Sequence, residues 1–96
     1  MLYNIITSKR YDKDVSLAKK RGLDIKELLD IVDKLQKGEK LPPKNKDHKL
    51  EGDFKGTREC HINPDWLLIY SKDDTICLLS LIRTGTHSDL YGKKRR

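Results

Sequence analysis

The chain has 96 residues, 21 Lys plus Arg against 15 Asp plus Glu, a formal net charge of +6 and a mean hydropathy of -0.76. A chain this short builds one thin core between two layers and leaves no room for a large internal cofactor cavity. Its longest apolar runs, at 66–70 and 76–79, fall far below the ~18 residues of a membrane span, and nothing at Met1 resembles a signal peptide, so a soluble, cytoplasmic protein is expected.

Residues 2–7 are short, β-branched and aromatic, which predicts a first strand. Ser8 is placed to cap a helix from Lys9 to Arg21, whose apolar stripe is Tyr11, Val15 and Ala18 and whose stop is Gly22. A second helix starts at Asp24-x-x-Glu27, resembling a capping box, and carries Ile25, Leu28, Leu29, Val32 and Leu35 at helical spacing until Gly38. Leu41-Pro-Pro43 then forbids helix, and Lys44 to Lys55 reads as a long, partly extended basic loop. Three strands follow, at 57–62, 66–72 and 75–83, joined by Asn63-Pro-Asp65 and Asp73-Asp74 turns short enough for antiparallel hairpins. The last two strands are apolar on both parities and therefore central. Residues 84–92 form a turn or helical turn, and Lys93 to Arg96 a mobile basic tail. The expected fold is α+β: strand, helix, helix and three strands, a mainly antiparallel sheet with a helical hairpin on one face. Residues 1–92 make one domain, and 93–96 a basic tail.

Cys60 and Cys77 form neither a CxxC nor a disulfide-scaffold spacing and read as core thiols. His48, His61 and His87 are too dispersed to argue a zinc site, so neither metal nor cofactor is expected. The positive excess lies mainly in Lys40 to Arg58 and in the tail, which points to a polyanion such as nucleic acid. All three histidines lie at strand ends or in the adjoining polar loop. If they converge, the chemistry suits RNA cleavage, in which a base takes the ribose 2′-OH proton, an acid protonates the leaving 5′-oxygen and cations stabilise the charged phosphorane. Arg83 is a candidate phosphate clamp, and equally a solvent-facing strand-end charge. Asp65 is a turn residue by its Asn-Pro-Asp setting, or a carboxylate that takes a proton or fixes a histidine tautomer. Trp66 and Tyr91 are candidate base-stacking platforms; tryptophan is more often core, and Tyr91 beside the basic tail is the more exposed candidate. Lys44, Lys46, Lys49, Lys55 and Arg58 are candidate phosphate contacts, although any one surface cation is more often simply solvated.

Four ordered motifs, Asp47-His-Lys-Leu-x-Gly52, Arg58-Glu-Cys-His61, Pro64-Asp-Trp-Leu-Leu-Ile-Tyr70 and Arg83-Thr-Gly-Thr-His-Ser-x-Leu-Tyr91, together resemble the YafQ branch of the RelE/ParE toxin superfamily nearly end to end. The resemblance implies a compact RelE-like fold and a toxin that enters the ribosomal A site and cuts messenger RNA there. It also implies a cognate antitoxin of the RelB/DinJ type, through which operator DNA is contacted. The matching catalytic positions are His48, His61, Asp65 and His87, with Arg83 on the phosphate and Tyr91 where the family commonly has phenylalanine. On this reading His87 is the general acid, Asp65 or His48 accepts the 2′-OH proton, and His61 orients the set or stabilises charge. An aspartate at its ordinary pKa of ~3.9 is a weak base at neutrality, so a direct role for Asp65 requires an upward shift or help from a histidine. The rival of another class is a noncatalytic gyrase poison of the ParE side, which lacks the histidine set; a third reading is a degenerate toxin that binds only its antitoxin. The tail at 93–96 is expected to add affinity for ribosomal RNA without contributing to the cut.

Overall fold

A computed structural model describes residues 2–92, so the basic tail lies outside the described residues. The elements are β1 (Asn4–Thr7), α1 (Lys9–Lys20), α2 (Ile25–Gln36), β2 (His48–Lys49), β3 (Arg58–Asn63), β4 (Trp66–Asp73), β5 (Leu78–Gly85) and α3 (His87–Tyr91). The junction of β1 and α1 is fixed by Ser8, whose Oγ accepts from the Tyr11 N–H (2.9 Å) as an N-cap and donates to the Ile82 carbonyl of β5 (2.7 Å). At the other end of α1, Gly22 at φ +80° lets the Leu23 N–H return to the Ala18 carbonyl (3.1 Å). Asp24 Oδ1 caps α2 by accepting from the Lys26 N–H (3.0 Å).

The sheet has five strands in the order β1-β5-β4-β3-β2, with β1 parallel to β5 and the other neighbours antiparallel. The parallel pair follows from the crossover through both helices, and the rest from short turns. β4 is central and buried on both faces from Trp66 to Tyr70. On one face Trp66, Leu68 and Tyr70 join Leu79 and Leu81 under the helices, which contribute Tyr11, Ala18, Leu28, Ile31, Val32 and Leu35. On the other, Leu67 and Ile69 are covered by Leu90 of α3 together with Leu50, Phe54 and Ile82. The α+β architecture and the helical pair on one face match the sequence reading. No helix among the described residues is long and apolar enough to cross a membrane.

Three local features differ from that reading. The buried stripe of α2 is Leu28, Ile31, Val32 and Leu35, while Leu29 is exposed. Helical spacing from Leu28 selects Ile31 on the next turn, and Leu29 falls to the side of the stripe. The basic loop contains a fifth, two-residue strand pairing His48 with Glu59 and Lys49 with Arg58, flanked by 3-10 turns at Pro43–Asn45 and Gly52–Phe54. β5 begins at Leu78 rather than at residue 75, because Asp73 Oδ1 accepts from the N–H groups of Thr75 (2.9 Å) and Ile76 (3.3 Å) and Cys77 adopts φ +51°. The side-chain bond makes a turn of residues that their apolar character placed in the strand. Cys60 is a fully buried core thiol, whereas Cys77 is half-buried at the edge of the core.

Candidate active site

Side chains alternate along a strand, so Glu59 and His61 of β3 share a face while Cys60 points to the helices. Register extends that face: His48 pairs Glu59 from the edge strand, and Glu59 and His61 pair Ile69 and Leu67 of β4, the two residues covered by α3. Glu59 is only 5% exposed and is where several groups meet. The Tyr91 hydroxyl donates a short bond to its Oε2. His48 Nε2 lies 3.4 Å and His61 Nε2 3.8 Å from its Oε1. His48 Nδ1 also lies 2.6 Å from the Lys46 carbonyl, brought there by the left-handed backbone of Lys46 (φ +48°). A carbonyl only accepts, so Nδ1 carries the proton, and Nε2 can donate to Glu59 only when the ring is protonated at both nitrogens.

The Pro64–Asp65 turn and α3 complete the site. Asp65 Oδ1 accepts from both Nδ1 (2.8 Å) and the backbone N–H (3.3 Å) of His87. A carboxylate is acceptor-only, so His87 donates through Nδ1 and keeps Nε2 for proton transfer. The His87 hydrogen bond holds the Asp65 carboxyl below the usual carboxylate range. That shift is the reverse of the one a direct base requires; it suits a carboxylate that fixes the His87 tautomer. The rings of His61 and His87 stand 5.7 Å apart at 68°. Tyr91, half-exposed, meets Phe54 edge to face at 5.9 Å. Burial, then the Glu59 carboxylate, pushes its phenol pKa up, so it remains a donor.

The remaining predicted residues divide. Lys44 and Lys46 line a cleft of about 460 Å³ with His61, Pro64 and Asn45, whose Nδ2 donates to the His61 carbonyl at 2.6 Å. Lys49, Lys55 and Arg58 instead line a separate groove of about 630 Å³ beyond β2, where Arg58 is tied to Asp47 (3.1 Å). Trp66 is a correction: its ring is 1% exposed in the core beneath the helices and cannot serve as a base-stacking platform without opening that core. The Arg83 reading is corrected in part. Its guanidinium is not a solvent-facing charge but donates from Nε to Asp14 Oδ2 (2.7 Å) and from Nη2 to Asp14 Oδ1 (3.1 Å), and this bonding raises its pKa. No three His, Cys, Asp or Glu converge as a metal site among the described residues.

Sequence reasoning missed Glu59 as a site residue, and also Asp14. The signal for Glu59 was present: an acid two positions before His61 in a strand shares its face. Replacing Glu59 with alanine is expected to lower stability by about 1–3 kcal/mol, because the Tyr91 hydroxyl loses its acceptor. Urea unfolding at neutral pH measures this, and an unchanged midpoint would mean that the cluster is held by other contacts.

Known proteins resemble the chain over nearly its whole length. The mRNA interferase toxin YafQ of Escherichia coli (strain K12) is 45% identical over 86 residues, covering 88% of this chain and 91% of that protein. The crystal structure of the E. coli DinJ-YafQ toxin-antitoxin complex contains a chain that superimposes with a TM-score of 0.87 at 43% identity, covering 96% of this chain and all of that one (100%). A metal-bound toxin from Helicobacter pylori matches with a TM-score of 0.86 at 45% identity over 95% of this chain and 100% of its own. The family model for YafQ, the bacterial toxin of a type II toxin-antitoxin system, matches residues 3–92, and the chain belongs to that family.

Proposed function

We propose that this chain is the toxin of a type II pair and an endoribonuclease that cuts messenger RNA in the ribosomal A site, in the cytoplasm, using side chains for both proton transfers. The observation that carries the reading is the pair of imidazoles 5.7 Å apart, one of them held by a carboxylate. In this mechanism His61 takes the 2′-OH proton as the 2′-oxygen bonds to phosphorus. Protonated His87 gives its Nε2 proton to the 5′-oxygen as the P–O5′ bond breaks, leaving a 2′,3′-cyclic phosphate and a 5′-OH. Asp65 orients His87 and does not itself take the proton; Glu59 lies 3.4 Å from His48 Nε2 at the edge of the site. Arg83 spends two of its five N–H donors on Asp14 and offers the others to the phosphate. Lys44 and Lys46 carry the adjoining backbone, and Tyr91 stacks on a neighbouring base.

The partner proposed with this activity is an antitoxin of the DinJ kind, supported by the E. coli complex; operator DNA is contacted only through it, and no membrane takes part. Primer-extension mapping on programmed ribosomes incubated with the purified protein, beside free RNA and EDTA-containing quench controls, tests the reading. The expected result is a codon-phased cut that needs the ribosome. A folded, antitoxin-free protein that leaves the message intact would overturn it in favour of a gyrase poison or an inactive binder.

A further inference from the structure

His87 is the first residue of a helix five residues long, and so short a helix has no stability of its own. Its bonds to Asp65 are exposed, with side chains 53% and 69% accessible, and an exposed pair contributes little by itself. The order of the His87 ring must therefore come from whatever seats α3.

Leu90 in the core and the Tyr91–Glu59 bond seat the C-terminal half of α3, and Asp89 ties down the end that carries His87. Its Oδ2 accepts from the Thr86 N–H (2.9 Å) while its own N–H donates to Thr86 Oγ1 (3.1 Å), a reciprocal cap closed around His87. The same carboxylate receives a bidentate fork from Arg21, the residue that ends α1: Nη1 to Oδ2 at 2.6 Å and Nη2 to Oδ1 at 3.1 Å. It also packs so tightly on Gly85 that a Cβ there would stand 2.9 Å from Asp89 Cβ and Oδ2. The Arg21 bond, above all, holds the Asp89 carboxyl at about 2, so the fork is closed at any pH used for assay.

We propose that Arg21 and Asp89 are positioning residues, a clamp between α1 and α3 that fixes His87 against Asp65 without touching RNA. The proposal rests on the assignment of His87 as the general acid, and its test separates the two. Arg21→Ala, Asp89→Ala and the double variant are compared with the full-length wild type in the ribosome assay. A second arm reads the His87 ring tautomer and its backbone N–H by long-range proton–nitrogen NMR. Because a small misplacement of a catalytic group is costly, each single variant is expected to lose about 10- to 100-fold in kcat with KM within about twofold. The double variant should be no worse than Asp89→Ala, which breaks the Arg21 fork and also opens the Thr86 cap. Arg21→Lys, which keeps the charge without the fork, should recover part of the rate. In the NMR arm the Nδ1–H form of His87 should give way to a mixed tautomer. The NMR arm needs only a folded chain, expected because Arg21 is half-exposed at a helix end. An unchanged His87 spectrum in folded Arg21→Ala would overturn the clamp even if the wild type proved inactive on ribosomes. A changed spectrum in folded Arg21→Ala, beside a wild type that does not cut, would keep the clamp and overturn the nuclease reading.

Discussion

Replacing His87 with alanine is expected to slow the cut by on the order of 10²- to 10⁴-fold, the usual contribution of a positioned acid or base. The ring is half-exposed, so the cost to stability should stay within about 0.5 kcal/mol, a few degrees in melting temperature. Single-turnover cleavage on programmed ribosomes with saturating toxin is the appropriate measurement, because it isolates the chemical step from ribosome entry. A rate within tenfold of wild type would remove His87 from the acid's role. Asp65→Ala should cost less than His87→Ala, because the acid remains and only its tautomer and aim are lost. The two carboxyl readings also separate by pH. With its pKa held down by the His87 hydrogen bond, Asp65 stays ionised throughout the neutral and mildly acidic range. Any acid-side loss of rate above about pH 5 therefore reports a histidine that has become protonated, and Asp65→Asn should leave the position of that limb close to wild type.

How far the sequence could carry this site depends on the range of the interaction. Signals that act over a few residues were legible: Ser8 and Asp24 as caps, Gly22 as a stop, and the doubly apolar run at 66–70 as a central strand. The convergence of His61 and His87 was suspected from strand ends, but it depends on β4 lying between them. His61 pairs with Leu67 and Leu67 with Gly85, two residues before His87. No local pattern states that register. β2 was illegible because it forms only where the open edge of β3 accepts it, with the Leu50 N–H closing on the Thr57 carbonyl (3.0 Å). Trp66 shows the opposite error. Its place beside Asp65 made it a plausible platform, but strand alternation turns the ring to the helix side, away from the face that carries Glu59 and His61. Asp14 carries no local signal of its partner; only the packing of α1 on β5 gives it Arg83.

That last pair sets the other large effect. Asp14→Ala is expected to destabilise the fold by about 3–5 kcal/mol, because it strands the charge of a side chain that is 14% exposed. The Thr84 N–H, which donates to Asp14 Oδ2 at 3.1 Å, loses its partner as well. For a chain of this size, that corresponds to a fall of more than about 12 °C in melting temperature. Calorimetry at neutral pH checks the figure, and a fall of under about 4 °C would show that water replaces the carboxylate cheaply. Replacing both partners with apolar residues of similar volume, Asp14→Leu with Arg83→Met, should return most of the stability, since a buried pair is worth little more than the packing that displaces it. Such a protein separates the two uses of Arg83. It is expected to melt near the wild type and still cut slowly, because the N–H donors that Asp14 leaves over are then missing from the phosphate. If it cuts at the wild-type rate, the guanidinium serves the fold alone, and the phosphorane charge falls to the lysines that line the cleft.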